Sequence, residues 1–450
     1  MSRLLAMLPC HQPQDPVAFM QGEPVSAEQL AADAQALASR LPASGQMLNG
    51  CTDRYWFLVG LAAAMMRGHL SVLPHNQVPD TLTLLRQEFS DLYYLSGPAA
   101  DIPDLPAVEL DCVHTAPASA RIEQLSFPAD QLCACLFTSG STGRPVAYTR
   151  RWSVVLNSAK AAADRFGMTA DQPWTAIATV PAQHSYGFES SVLLTLITGG
   201  AVCAERPFYP ADIAHSIEQL PRPRVLVTTP VHLRALLGAQ VTVPPLDMMI
   251  SATSLLPVEL AASAEDKLRA PLQEVYGATE SGQTATRRPV HDTRWTPLKG
   301  VTITNRNGRA YASGDYVGSD VLLSDFLEIE ADGRFQLLGR TADLVNVAGK
   351  RGSIAQLNAQ LNDIAGVTDG VFLLTDSTDD LVRLTAFFVS ATLTRAQVLE
   401  QLKQKIESAF MPRPLIQLEA IPRDGTGKAT RQRLLDLLSA HGGAHRSDLP

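Results

Sequence analysis

Segments with the pattern of helices alternate with segments with the pattern of strands from about residue 26 to residue 276. Short apolar stretches such as WTAIATV (174–180) and RVLVTT (224–229) are separated by amphipathic stretches long enough for helices, such as 152–166 and 211–220. Such alternation is typical of parallel strands joined by helices that cover both faces of the sheet. The sequence therefore predicts an α/β fold built on mostly parallel sheets.

The pattern changes in the last third of the chain. Between about 284 and 336, short strands with Asn-Gly and Asp-Gly turns, as in NRNGRAY and EADGRFQLL, predict a small β subdomain. Further helices and strands, ending in a helix over 431–440, predict a separate α+β unit of normal domain size. We therefore expect a large domain over 1–339, a small domain over 340–440 and a disordered tail over 441–450.

Composition and charge restrict the partners. Apolar residues make up 46% of the 450 residues, charged residues 18%, and the net charge is −8, which argues against a nucleic-acid or membrane-binding surface. The longest apolar run, 56–66, is too short to span a bilayer, and the N-terminal segment becomes polar too soon for a secretion signal. Six cysteines without a CxxC pair indicate neither a disulfide framework nor a zinc site. We expect a cytoplasmic protein.

A loop rich in glycine and hydroxyl residues is the strongest chemical signal. An apolar strand-like stretch runs into TSGSTGRP at 138–145. Small residues let a ligand approach the backbone, and successive N–H groups and hydroxyls can hold phosphate oxygens. The loop lacks the Lys-Ser/Thr of a P-loop NTPase, which excludes that class. Taken alone, the loop could still be a plain turn.

Five motifs in order resemble those of the adenylate-forming ligase superfamily, which includes acyl-CoA synthetases, aryl-acid ligases and peptide-synthetase adenylation domains. They are TSGSTGRP (138–145), YGATES (276–281), SGD (313–315), GRTAD (339–343) and PRDGTGK (422–428), the last followed by Arg431 and Leu434. A single short motif is a weak signal, whereas five in the right order make coincidence negligible. The resemblance implies an ATP-dependent, AMP-forming carboxylate–thiol ligase whose small C-terminal domain is a mobile lid.

The resemblance implies ATP and Mg²⁺ as cofactors and gives the first two motifs their tasks. The residues that would hold the phosphates are Thr138, Ser139, Gly140, Ser141, Thr142 and Gly143. Thr279 would contact the α-phosphate, and Glu280 would bind Mg²⁺, a cation that prefers carboxylate and phosphate oxygens.

The remaining motifs supply nucleotide and catalytic residues. By resemblance, Tyr276 would stack on adenine, Asp315 would accept hydrogen bonds from the ribose hydroxyls, and Arg340 would also contact the ribose. Lys428 would neutralise the charge that develops as the substrate carboxylate attacks the α-phosphate. Each of these residues, taken singly, could be an ordinary surface or turn residue.

The chain departs from the family pattern at three positions. Val146 stands where the phosphate loop usually has lysine, Ala342 replaces the first acid of the usual GRxDD hinge, and Asn346 replaces a hinge-side lysine. Nearby arginines that could supply the missing cation are Arg144, Arg150 and Arg151. These departures leave the behaviour of the hinge open. The other residues that the resemblance assigns to the ATP site are present in the sequence.

The segment PAQHSYGFES (181–190) follows a strand, where members of the superfamily line the acyl pocket. Amino-acid-activating members carry an aspartate there, whereas His184, Ser185 and Tyr186 resemble the His-Asn-Tyr of aryl-acid ligases. An aromatic wall and a hydroxyl suit a hydroxylated aromatic acid. His184 is also assigned to the catalytic residues, although it could be a core histidine with satisfied hydrogen bonds.

The opposite wall of the acyl pocket is predicted from a second strand end. It would contain Ser251, Ala252 and Thr253, and Gly277 is also assigned to the substrate site. Small and polar residues here agree with a substrate that carries a ring hydroxyl.

We therefore predict activation of a 3- or 4-hydroxybenzoate-like acid to acyl-AMP, then transfer to a phosphopantetheine thiol. The chain most resembles hydroxybenzoate–acyl carrier protein ligases of xanthomonadin-type aryl polyene pathways, which implies a carrier protein as acceptor. Coenzyme A is the alternative acceptor, and a fatty-acyl ligase is the alternative enzyme. A non-catalytic AMP-binding protein is a third possibility, disfavoured by the retained motif residues.

Overall fold

The computed structural model describes residues 3–74, 76–77, 79–97, 105–110, 114, 120–138, 146–340, 344–347, 350–375, 383–423 and 429–444. Within these ranges, none of the helices combines the length and the apolar composition that a membrane crossing requires.

The first third of the chain forms a six-stranded sheet and the start of a second sheet. The strands are β1 Leu4–Ala6, β2 Pro16–Met20, β3 Glu23–Ser26, β4 Gln46–Asn49, β5 Leu70–Leu73, β6 Leu92–Ser96, β7 Ala107–Glu109, β8 Ser126–Pro128, β9 Leu132–Thr138 and β10 Val146–Arg151. The helices are α1 Ala27–Arg40, α2 Arg54–Met66 and α3 Pro79–Glu88. The six-stranded sheet has the order β10-β9-β5-β4-β6-β7 and is parallel except for the β9–β10 pair.

The middle third completes a nine-stranded sheet. Its strands are β11 Thr175–Ala178, β12 Ala201–Cys203, β13 Arg224–Thr228, β14 Met248–Ser251, β15 Leu272–Ala278, β16 Gly282–Arg287 and β17 Thr296–Pro297. The helices are α4 Trp152–Phe166, α5 Ser185–Gly187, a π-helix over Phe188–Leu193, α6 Leu194–Thr198, α7 Pro210–Glu218, α8 Pro230–Gly238 and α9 Val258–Leu268. The sheet order is β17-β16-β15-β14-β13-β11-β12-β2-β3, with β2 and β11 to β15 joined by parallel pairings.

Helix α2 is the main apolar link between these two sheets. It is capped by the Asp53 side chain, which accepts from the N–H of Trp56, and its residues from Arg54 to Met65 are buried. It packs against β4 and β5 of the six-stranded sheet and against β2 and β12 of the nine-stranded sheet. A helix that is apolar on all sides must be enclosed on all sides, so it fixes how the two sheets stack.

The predicted β subdomain is present as two small antiparallel sheets. Its strands are β18 Val301–Arg306, β19 Arg309–Gly314, β20 Gly318–Leu322, β21 Asp325–Ile329 and β22 Phe335–Arg340. The β18–β19 turn places Asn307 at φ 53° and Gly308 at φ 75°, the left-handed pair that an Asn-Gly hairpin turn requires.

The C-terminal part has a hydrophobic core of its own. Its elements are β23 Leu344–Val347, β24 Lys350–Ser353, α10 Ile354–Asn362, β25 Asp369–Thr375, β26 Arg383–Val389, α11 Arg395–Lys405, β27 Leu415–Gln417 and α12 Arg431–Ala444. Leu361, Phe372 and Phe388 are buried together against α11 residues such as Val398. The α/β fold class is confirmed, while the boundary at 339/340 stays a prediction. Helix α12 ends at Ala444, so the first four residues of the tail predicted over 441–450 are helical, and 445–450 lie outside the described residues.

Gly187 permits a close backbone approach beneath the predicted acyl pocket. A Cβ at Gly187 would collide with the carbonyl oxygen of Pro181, whereas a Cβ at Gly238, the last residue of α8, would meet open space. We expect Gly187→Ala to lower the free energy of unfolding by about 1–3 kcal/mol because the loop must shift. Gly238→Ala should be neutral or slightly stabilising. Urea unfolding of both variants tests this, and equal stabilities would contradict the packing described.

Candidate active site

The site is built on neighbouring carboxyl ends of parallel strands. In the nine-stranded sheet Thr228 at the end of β13 pairs with Ser251 at the end of β14, and Ser251 pairs with Glu274 of β15. In open α/β sheets, ligands bind outside such carboxyl ends, where loops diverge and strand termini leave polar groups exposed. Both predicted walls of the acyl pocket lie at this edge.

Tyr186 joins two of these strand ends. Its hydroxyl lies 3.0 Å from the carbonyl oxygen of Thr228 and 2.8 Å from that of Ile250, so its single hydrogen is shared between β13 and β14. Burial raises the pKa of the Tyr186 phenol well above its usual value, which keeps it a donor. The hydroxyl therefore serves the protein backbone, and the role of the ring as an aromatic wall of the acyl pocket stays a prediction.

His184 and Ser185 are half-buried at the start of α5. His184 is the N-cap residue: its Nδ1 accepts from the N–H of Tyr186 at 3.3 Å, which leaves the ring proton on Nε2 in the neutral imidazole. The first turn after β11 is thus held by the side chain that the sequence assigns to substrate contact and catalysis.

The opposite wall combines an unpaired hydroxyl with a strained backbone. Ser251 is fully buried, and its Oγ has no hydrogen-bond partner among the described residues. Ala252 is buried beside it, and Thr253 has φ +78°, an unfavourable value for a β-branched residue. Strain of this kind costs about 1–3 kcal/mol and persists where the surroundings enforce it, typically at functional sites.

A buried ion pair enforces that strained loop. The Glu274 carboxylate lies 2.6 Å from Nε of Arg287 and accepts from the N–H of Leu256 at 3.0 Å, while Arg287 also donates to the Leu256 carbonyl. Burial raises the pKa of Glu274 to about 7, and Arg287 opposes that rise. The loop after β14 is therefore fastened at Leu256 by both members of the pair.

Arg54 fastens the loop on the other wall. It is completely buried, and its guanidinium donates to the carbonyl of Val180, to Oγ of Ser191 at 3.3 Å and to the carbonyl of Glu205 at 3.1 Å. Burial lowers its pKa to about 10. Arg54 was not predicted for the site, although an arginine at the start of an otherwise apolar helix is an observable signal.

The YGATES turn lies at the end of β15. The Tyr276 hydroxyl donates to Asp325 at 2.7 Å, and its ring packs on Trp295 and Phe335, which leaves 8% of the residue exposed. The predicted adenine stacking would therefore use the small accessible part of the ring. A Cβ at Gly277 would collide with the carbonyl oxygen of Gly282 on the neighbouring strand, so glycine is required there.

The Thr279–Glu280 segment is contacted from β10. Nη2 of Arg150 donates to the Thr279 carbonyl at 2.5 Å. Burial raises the pKa of the Tyr148 phenol, and the negative charge of Glu280 adds to that rise. The described residues contain no cluster of three potential metal ligands, so any metal here needs oxygens from a ligand.

A second buried carboxylate supports the same turn. Glu189, in the π-helix, is 6% exposed, and its Oε2 accepts from the N–H of Gln283 at 3.1 Å. The Gln283 amide donates to Oγ of Ser190 at 2.9 Å, while its Oε1 has no hydrogen-bond partner in the described part of the chain. Neither residue was predicted for the site, because only the fold brings β16 to the π-helix.

The predicted ribose residues lie in the β subdomain. Asp315 is exposed directly after β19, and the backbone of Arg340 pairs with Asp325, the residue that holds Tyr276. Predictions for Ser139, Gly140, Ser141, Thr142, Gly143, Ala342 and Lys428 fall outside the described residues, as does the side chain of Thr138.

Comparison with known proteins identifies the family. A family model described as "AMP-binding enzyme" matches residues 71–311. The chain belongs to the AMP-binding enzyme family. The predicted superfamily is thereby confirmed, and with it the class of AMP-forming enzyme.

Relatives and solved structures extend this result. The chain is 24% identical over 371 residues to a 3-hydroxybenzoate–CoA/4-hydroxybenzoate–CoA ligase of Thauera aromatica, which covers 72% of this chain and 69% of that protein. ATP-bound MatB from Rhodopseudomonas palustris has the same fold, with TM-score 0.79, 19% identity and coverage of 95% and 96%. So does O-succinylbenzoate coenzyme A synthetase from Bacillus subtilis in complex with ATP and a magnesium ion, with TM-score 0.78, 18% identity and coverage of 94% and 97%.

His232, at the edge of the site, makes the free energy of unfolding of the protein decrease at acidic pH. The residue is 5% exposed beside Thr229, and its pKa is lowered to about 4 by burial and by the positive charge of Arg206. The unfolded chain binds the proton more tightly, so this contribution is complete above the ordinary value of 6.5 and is lost as the pH falls towards 4.

The free energy of unfolding of the wild type should fall between neutral and mildly acidic pH. In His232→Gln we expect this fall to be smaller by about 2–3 kcal/mol. Urea unfolding at both pH values measures it. The matched control is His215→Gln, at an exposed position of α7. Parallel pH dependences for the wild type and His232→Gln would contradict the prediction.

Proposed function

We propose that the chain activates an aromatic carboxylic acid with ATP and Mg²⁺ and passes the acyl group to a thiol. In the first step a carboxylate oxygen attacks the α-phosphorus, the α–β anhydride bond breaks, and pyrophosphate leaves. In the second step the thiolate attacks the acyl carbon, and AMP leaves with the electron pair of the acyl–oxygen bond. Membership of the AMP-binding enzyme family supports the first step.

The residues present fit a Mg²⁺–nucleotide complex. Glu280 is half-buried at the YGATES turn, and no lysine or arginine of the described chain lies within ion-pair distance of it. A carboxylate that pairs with no cation among the described residues suits a hard cation that also binds phosphate oxygens. When bound, Mg²⁺ would offset the negative charge of the phosphates. The synthetase of the same fold that was solved with ATP and magnesium supports this assignment.

The protein residues then have separate tasks. Thr279 would bind the α-phosphate, Asp315 and Arg340 the ribose, and Lys428 would neutralise charge as it develops between the attacking carboxylate and the α-phosphorus. The observed contacts of Thr279 with Arg150 keep its carbonyl occupied, so its hydroxyl and N–H are the groups available to phosphate.

The unpaired Oγ of Ser251 carries the choice of substrate. A buried hydroxyl without a partner costs about 1–3 kcal/mol, which a ligand with a complementary polar group can recover. Ser251 follows Ile250, whose carbonyl accepts from the Tyr186 phenol, so Ser251 and Tyr186 lie at the same end of β14. We infer a ring-hydroxylated benzoate, in agreement with the named substrates of the relative from Thauera aromatica.

For the acceptor we infer the phosphopantetheine of an acyl carrier protein. This rests on the resemblance of the sequence to carrier-protein ligases of xanthomonadin-type pigment pathways. Coenzyme A is the second candidate, supported by the names of the relatives and of the synthetase with the same fold. Acyl transfer from pre-formed adenylate to either thiol, measured side by side, separates them.

Ser251→Ala tests the substrate assignment. The wild type should support pyrophosphate exchange with 3- or 4-hydroxybenzoate in preference to benzoate and octanoate. In Ser251→Ala the preference for hydroxybenzoate over benzoate should fall by about 10- to 100-fold in kcat/KM, because the alanine site no longer leaves a polar group unpaired. The KM for ATP should stay constant.

Ser254→Ala is the matched control, since Ser254 is exposed on the same loop. Octanoate as the best wild-type substrate would replace the aryl assignment with the fatty-acyl alternative. An absence of exchange with every acid would favour the non-catalytic alternative. An unchanged hydroxybenzoate preference in Ser251→Ala would remove this serine from the ring-binding site.

A further inference from the structure

The strand after the phosphate loop offers a cation in place of the missing lysine. Val146 occupies the lysine position and is 48% exposed. In β10, Val146 pairs with Thr138, Tyr148 with Leu136 and Arg150 with Ala134. Alternate residues of a strand point to the same face, so Tyr148 and Arg150 share the face of Val146.

Arg150 is the arginine of this strand that reaches the YGATES turn. Its Nη2 donates to the carbonyl of Thr279 at 2.5 Å. Arg151 is exposed and donates to the carbonyl of Asp130 at 3.1 Å, on a different part of the surface. Of the three arginines that could supply the missing cation, Arg150 therefore lies at the site and Arg151 lies elsewhere. The third, Arg144, lies outside the described residues.

Glu189 supplies the opposite charge on the other side of the turn. Its carboxylate accepts from the N–H of Gln283, four residues after Thr279. Burial raises the pKa of Glu189, and the Arg150 guanidinium is the largest influence in the other direction. The turn from 279 to 283 is therefore fastened at one end by a cation from β10 and at the other by a carboxylate from the π-helix.

We propose that Arg150 is a positioning residue for adenylation: together with Glu189 it holds the 279–283 turn in the geometry that presents Thr279 and Glu280 to the nucleotide. Arg150 acts from the strand that follows the phosphate loop, and Glu189 acts from the π-helix that follows the predicted acyl-pocket segment. The proposal rests on the proposed function in one respect, namely that Thr279 and Glu280 bind Mg²⁺–ATP.

The decisive variants are Arg150→Met, which removes the charge and the donors, and Arg150→Lys, which keeps the charge. Loss of a charge-assisted hydrogen bond should reduce kcat for pyrophosphate exchange by about 10- to 100-fold in Arg150→Met and less in Arg150→Lys. Mg²⁺–ATP binding, measured by calorimetry without acid, should weaken in the same order. The KM for the aromatic acid should stay nearly constant.

Two further variants separate positioning from simple stabilisation. Arg151→Met, the matched control, should change exchange by less than about twofold. Arg150→Met combined with Glu189→Gln should regain part of the thermal stability that Arg150→Met loses, because the buried Glu189 carboxylate that the Arg150 charge favours is also removed, yet stay slow in exchange. Recovery of both stability and exchange in the double variant would overturn the proposal, as would wild-type nucleotide binding in Arg150→Met. Weakened Mg²⁺–ATP binding in a protein that activates no aromatic acid would refute the proposed substrate but support this inference.

Discussion

The hydroxyl of Tyr186 is the contact on which the acyl half of the site depends. It joins the carbonyls at the ends of β13 and β14, and it is itself placed by the turn that His184 caps. The loops that follow parallel strands diverge at the carboxyl edge of the sheet, so a side chain that bonds to two strand ends fixes the base of the cleft between those loops. Ser251, at the end of β14 beside this contact, is buried, and its Oγ has no hydrogen-bond partner among the described residues.

Buried charges hold the loops around this cleft. Arg54 fastens the loop after β11, the Glu274–Arg287 pair fastens the loop after β14, and Arg150 with Glu189 fastens the YGATES turn. Each uses a charge to bind backbone groups, which hydrophobic contacts could not orient. Breaking a buried charge pair is costly because the remaining partner stays desolvated. Such arrangements specify geometry more than they add stability, which suits a site that must position phosphate and carboxylate.

The sequence predicts the α/β fold because the spacing of apolar residues that indicates each helix or strand lies within one short segment of the chain. The five motifs likewise predict the family, since each is a short contiguous run. The supporting contacts are not local: Arg54 reaches Val180, and Glu189 reaches Gln283. The π-helix and the left-handed Thr253 also escape sequence patterns, because packing and not propensity enforces them. The phosphate-loop and Lys428 assignments stay predictions from the motifs.

The central claim is that an aromatic carboxylate attacks the α-phosphorus of ATP. Hydroxybenzoate labelled with oxygen-18 in its carboxylate, incubated with the protein, ATP, Mg²⁺ and an acceptor thiol, tests it directly by mass spectrometry of the products. The AMP should carry one labelled oxygen, because the bridging oxygen of the adenylate stays with phosphorus when the thiol attacks the acyl carbon. Unlabelled AMP, or label in inorganic phosphate together with ADP, would contradict it.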